Sequence, residues 1–269
     1  MAQSGAESSR KALIVGSTLA LLIGASIMVL LHESSHAVAD ALLGCTPTQV
    51  PFAVDCTPEL APDDGAIVAI TGPIFSLALG LIGFAVDRIA KPLRAHPFWC
   101  LVWLWTIFLS IEEGVGYFVI VGLVPAGDTA VAYAAWGAPV WVYIVSTSLG
   151  IAAMFGTGWL FSRPLIDLTT TMSERNDLSF WPWIAGTLGF GVLTTIYMLL
   201  TPGIDGGAIA AVLFGIPGMA VFAPISLMFG GKRFEAAAPI RMGGVTGGII
   251  LLCVLIVVNV TLTRGRLWG

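Results

Sequence analysis

Seven apolar stretches, each long enough to cross a bilayer, leave this chain few ways to fold. They run near 12–43, 65–86, 98–122, 137–161, 181–200, 208–229 and 245–262. About 20 apolar residues suffice for one helical crossing. In lipid a lone segment must satisfy its own N–H and C=O groups, so each stretch is expected to be a helix. Charged residues make up 10% of the chain, against about 25% in a soluble domain. Its 32 glycines suit helices whose backbones approach closely. The expected fold is therefore all-α, a polytopic transmembrane bundle of about seven spans forming a single integral membrane domain over 1–269. The longest polar segments, 44–64 and 162–180, are too short to hold an appended soluble module. The net charge of −4 carries no basic stripe and gives no support to nucleic-acid binding.

Basic residues set the expected orientation. Arg10 and Lys11 precede the first stretch, and Arg88, Lys91 and Arg94 follow the second. Arg163 and Arg175 follow the fourth, and Lys232, Arg233 and Arg241 follow the sixth. All ten fall on one side, which is expected to be cytoplasmic together with the N-terminus, in a multi-pass protein of the cell membrane. Segments 44–64, 123–136 and 201–207 hold no Lys or Arg and belong opposite; only Arg264 and Arg266 break the pattern. Cys45 and Cys56 lie on that opposite side, where a disulfide survives if the compartment is oxidising. A cleaved signal peptide fits poorly, because the first apolar run reaches about 20 residues rather than 7–15.

The first stretch ends on His32-Glu33-Ser34-Ser35-His36, an HExxH motif. With three His and seven Glu in the chain, roughly one chain in a thousand of this composition would hold the motif by chance. Positions i and i+4 share one helix face, so both imidazoles can reach one metal ion, with Glu33 close enough to act on its water. The bland alternative is a helix carrying two hydrogen-bonded histidines. A catalytic zinc site needs a third protein ligand and an open position. His96 lies among cytoplasmic-side residues and is a poor choice. Asp128 and Asp205 both lie on the opposite side, each before an apolar stretch, where either can also cap a helix. Glu112 and Glu113 sit inside the third stretch, where carboxylates are costly. They are expected to line a wet cavity, support a ligand histidine, be protonated or serve helix packing.

These residues resemble the site-2 protease family of intramembrane zinc metalloproteases. HESSHAVADALLG, residues 32–44, is similar to the family's HExxH segment. TGPIFSLALG, residues 71–80, looks like its Gly-Pro-x-x-Asn element, with Ser76 where the family has Asn. The family's third element is an Asp opening a later membrane helix. GLVPAGD, residues 122–128, matches its order and spacing but has Gly122 for Asn and no Asp-Gly pair. PGIDGG, residues 202–207, keeps Asp-Gly-Gly but comes two spans late. The resemblance thus favours Asp128, with Asp205 as the alternative. It covers about 12–160, leaving 161–269 as additional transmembrane helices.

The resemblance implies that His32, His36 and Asp128 hold Zn²⁺ and that Glu33 is the general base. Ser76 and Glu112 are then expected beside the ligands or lining a cavity, with Ser34, Ser35 and Thr129. The implied activity is peptide-bond hydrolysis in or next to the bilayer, on the helix of a membrane-protein substrate. Well-known members open toward the cytosol, whereas the charge pattern here puts the motif nearer the opposite face. An ion or solute transporter and an inactive membrane scaffold with a metal site are the rival readings.

Overall fold

A computed structural model describes residues 2–91, 93–124, 126–203, 215–236 and 240–267. Helix α1 (Ala2–Leu42) is followed by a hairpin of β1 (Thr46–Val50) and β2 (Ala53–Thr57). Then come α2 (Pro62–Ala90), α3 (Pro97–Ile120), the short α4 (Asp128–Ala135) and α5 (Val140–Leu168). The chain continues through α6 (Met172–Leu178), α7 (Phe180–Leu200), α8 (Phe222–Ser226), α9 (Val245–Leu262) and β3 (Arg266–Leu267). The all-α expectation holds. Among the described residues six helices are long and apolar enough to cross a membrane, with α6 and α7 counted together, and the protein is a multi-pass membrane protein.

The sixth expected span, 208–229, differs. Residues 208–214 lie outside the described residues. Its described part is turns and the five-residue α8. Gly215, Pro217, Gly218 and Pro224 explain the break, since proline removes a helical donor and glycine weakens the helix. Irregular backbone is tolerated at membrane depth only when protein covers it. Here Ile216, Met219, Ala220, Phe222 and Ala223 are all buried. Phe222 packs with Phe161 of α5 and with Trp105 and Phe108 of α3, at ring-centroid distances of 5.0–5.8 Å.

Helix α3 is the centre of the bundle: 78% of its apolar window is buried, against 17% for α5. The outward faces of α5, α7 and α9 expose Ile144, Leu149, Leu188, Val192, Ile250 and Val257, as lipid-facing positions do. Glycines let α1 and α2 close on α3. A Cβ at Gly24 would lie 2.9 Å from the Thr106 nitrogen, and one at Gly114 would lie 2.6 Å from the Pro73 carbonyl. Gly24→Val is accordingly expected to push α1 off α3, at about 1–3 kcal/mol of overpacking. Thermal melting in detergent, compared with a valine at the open position Gly116, checks this.

The two ends of the bundle differ in chemistry. At one end Arg10 pairs with Asp177 (3.1 Å), Arg88 with Asp167 (3.3 Å) and Arg94 with Asp87 (2.9 Å). At the other end stands the hairpin, where β1 pairs with both β2 and β3. The hairpin is closed by a Cys45–Cys56 disulfide, and Phe52 in its turn packs against Tyr197 near the end of α7. The segment 44–64 is therefore built structure rather than plain loop. The pairing of β3 with β1 brings the C-terminal end of α9 to the hairpin end.

Candidate metal centre

Three donor atoms meet near the hairpin end of the bundle. The helical spacing of HESSH puts the Nε2 atoms of His32 and His36 3.2 Å apart. Gly127, at φ +87, turns the chain into α4, and Asp128 is the first residue of that helix. Its Oδ2 lies 3.0 Å from His32 Nε2 and 3.2 Å from His36 Nε2. Donors bound tetrahedrally at 2.0–2.1 Å stand about 3.3 Å apart, so this triangle has nearly the size that one Zn²⁺-sized ion needs.

Proton placement strengthens that fit. His36 Nδ1 is 2.8 Å from the Val68 carbonyl, which only accepts, so Nδ1 carries the proton. A neutral His36 then turns a bare Nε2 lone pair toward a carboxylate oxygen and toward His32 Nε2. Acceptors facing one another repel. A proton at the centre satisfies one such contact, whereas a divalent cation satisfies all three. The outer nitrogens are fixed, as in metal sites generally: Val68 holds His36, and Ser76 Oγ lies 3.0 Å from His32 Nδ1.

Helix α2 can supply these partners only because Gly72 is bare. A Cβ there would overlap the His36 ring and come within 2.7 Å of His32 Cε1. Gly72→Ala is expected to displace both imidazoles and abolish stoichiometric metal binding. Ser76→Ala, which removes only an outer hydrogen bond, is expected to weaken it about 10–100-fold. Metal analysis of the purified proteins against a competing chelator measures both; equal affinity in Ser76→Ala and wild type would remove Ser76 from the site.

The other anticipated residues fall as follows. Glu33 is buried beside the triangle and interacts electrostatically with His32, His36 and Asp128. Of the two α3 carboxylates, Glu113 is the one that interacts with those three groups. Glu112, one turn beyond Phe108, is buried, and neither carboxylate oxygen has a hydrogen-bond partner among the described residues. Ser34 and Ser35 donate to the Leu30 and His32 carbonyls of their own helix. Thr129 is fully buried, and its hydroxyl has no hydrogen-bond partner among the described residues. Asp205 lies outside the described residues.

Tyr117 was not anticipated. Its ring stacks on His32 at 5.5 Å and 4°, and its hydroxyl interacts with Asp128. It sits four residues after Glu113, so helical periodicity alone would have placed the two on one face.

The centre lies about 15 Å along α2 from its first residue, taking 1.5 Å per residue from Pro62 to Gly72. The His32 side chain is 1% exposed and that of Asp128 25%, so the approach from outside passes Asp128. Comparison of the chain with protein-family models, with curated proteins and with solved structures returned no match, and the functional reading rests on these residues.

Proposed function

We propose that this protein is a zinc-dependent endopeptidase that hydrolyses peptide bonds of membrane-embedded or membrane-adjacent proteins. The observation that carries the reading is the His32–His36–Asp128 triangle, its donor atoms 3.0–3.2 Å apart, set beside Glu33 among apolar helices. Ordered imidazole and carboxylate donors suit zinc, and three ligands leave a fourth position open. Zn²⁺ held there supplies a water acidified to about pKa 7 and polarises a peptide carbonyl.

The chain's own residues do the rest. His32, His36 and Asp128 hold the ion, while Ser76 and Val68 keep the two rings aimed. Glu33 accepts the proton of the attacking water and returns it to the leaving nitrogen. Water arrives past the partly exposed Asp128. Peptide bonds in a helix are masked by their own hydrogen bonds, so a substrate must unwind near the cut. Helix-weakening residues there are expected to favour cleavage.

The orientation belongs to the same proposal. The basic end faces the cytoplasm, with the N-terminus, and the hairpin end faces an oxidising compartment. Both the charge pattern and the Cys45–Cys56 bond support this. The test is purification in detergent, measurement of zinc per chain, and cleavage of a transmembrane test substrate with and without chelator. Zinc near one per chain and chelator-sensitive cleavage support the reading. A protein that binds no transition metal overturns it.

Ion translocation is the second reading, and Glu112 favours it as a buried carboxyl without a hydrogen-bond partner among the described residues. Ion flux into proteoliposomes that is lost in Glu112→Gln, without any cleavage by wild type, would favour the transporter.

A further inference from the structure

At the basic end, away from the metal centre, α5 and the segment after α8 form an open cavity of about 480 Å³. Trp159, Ser162, Arg163, Phe229, Lys232 and Arg233 line it. Its volume is in the range of ligand sites, about 300–1,000 Å³. Three of those six side chains are cations.

The acids of this end other than Glu235 are engaged elsewhere. Asp177 pairs with Arg10, Asp87 with Arg94, and Asp167 with Arg88 and Lys91. Glu174 accepts the Thr170 N–H and hydroxyl. Glu235 is exposed and makes no ion pair among the described residues. In the same set no carboxylate pairs with Arg163, Lys232 or Arg233; Arg163 lies only over the Trp159 ring, 4.5 Å from its centroid.

A fourth cation stands behind the cavity wall. Arg175 is fully buried, and its guanidinium donates to the Phe229, Gly231 and Arg233 carbonyls at 3.4, 3.2 and 2.6 Å. These bonds hold the wall segment in place and occupy three oxygens that would otherwise repel an anion. They leave the arginine's charge without a carboxylate among the described residues. The cavity lining thus carries three cations and no carboxylate, and the one unpaired acid of this segment among the described residues, Glu235, is exposed outside it.

What anion fits is set by the helix face above it. Ile151, Phe155 and Trp159 follow one another at intervals of four on α5, each 44% exposed, and Arg163 is the next step of that ridge. An exposed apolar ridge running into a basic cavity matches a molecule with an acyl chain and an anionic head. Tryptophan marks the depth where head groups lie, and basic pockets between membrane helices suit phospholipid head groups.

We propose that this cavity binds the phosphate head group of an anionic phospholipid, with an acyl chain along Ile151, Phe155 and Trp159. The assignment does not depend on the proposed peptidase activity.

The test uses the full chain, delipidated in detergent. Native mass spectrometry counts retained lipid after incubation with phosphatidylglycerol, with phosphatidylcholine, or with inorganic phosphate followed by phosphatidylglycerol. Wild type is expected to retain one phosphatidylglycerol with at least tenfold preference over phosphatidylcholine, and millimolar phosphate is expected not to displace it. Lys232→Gln and Arg233→Gln are exposed changes that should leave the fold intact. Each is expected to lower the preference about fivefold, from about 1 kcal/mol per cation near a charged lipid. The triple change with Arg163→Gln is expected to abolish the preference while helicity by circular dichroism is retained. Equal retention of the two lipids by wild type overturns the proposal, as does an unchanged preference in both single variants. Displacement by phosphate would reassign the cavity to a free anion and also overturn it.

Discussion

Asp128→Asn is expected to lower metal affinity by more than about a hundredfold while leaving the helices folded. The bound here is the upper end of what removing an outer hydrogen-bond partner costs; removing a ligand must exceed it. Asparagine keeps the shape of aspartate but changes what faces the imidazoles. Its amide can turn NH₂ toward the bare Nε2 of His36, 3.2 Å from the present carboxylate oxygen. With His36 neutral, the lone-pair conflict that a cation would relieve in wild type is then relieved without one. Two measurements follow. Zinc per chain should fall in Asp128→Asn and stay unchanged in Asp205→Asn. Chelator should lower the melting temperature of wild type and leave that of Asp128→Asn unmoved. A variant that keeps stoichiometric, chelator-resistant zinc would show that Asp128 is no ligand.

Glu33→Gln is expected to retain metal and to lose cleavage by about 10²–10⁴-fold, the range of a positioned general base. That corresponds to about 3–5 kcal/mol of barrier. Glutamine fills the same volume beside the triangle but cannot take a proton, and Glu33 is not among the three donors. The separation of binding from turnover is what makes the variant informative. A merely structural Glu33 would change melting and zinc content together. Rates equal to wild type would remove Glu33 from its role. Glu113, the other carboxylate that interacts with His32, His36 and Asp128, would then be the base to test by Glu113→Gln.

Both predictions turn on a centre that was only half visible in the chain. The pair His32 and His36 was readable because four residues of helix return a side chain to the same face, whatever the rest of the fold does. Asp128 and Asp205 both satisfied the local signals of position and helix start, and nothing local separates them. Asp128 is brought to the histidines by a turn at Gly127 and by the docking of α4, 92 residues beyond His36. The two α3 carboxylates are neighbours in sequence, yet they project about 100° apart on a helix of 3.6 residues per turn. Which of them faces the metal centre depends on how α3 is rotated, and that rotation is set by Gly24, Gly80 and Gly114 against α1 and α2.

Long apolar runs dictate helices by themselves, because a segment in lipid must close its own hydrogen bonds, and charge between the runs sorts the bundle into two ends. That much follows from the order of residues alone, as does the helical pairing of two imidazoles. The third donor, the stacking of Tyr117 on His32 and the basic cavity arise only when distant helices pack. So does the partly irregular course of 215–229, where buried packing compensates for what Gly and Pro prevent. Side-chain volumes and close glycine contacts decide these, and they act between residues that no local pattern connects.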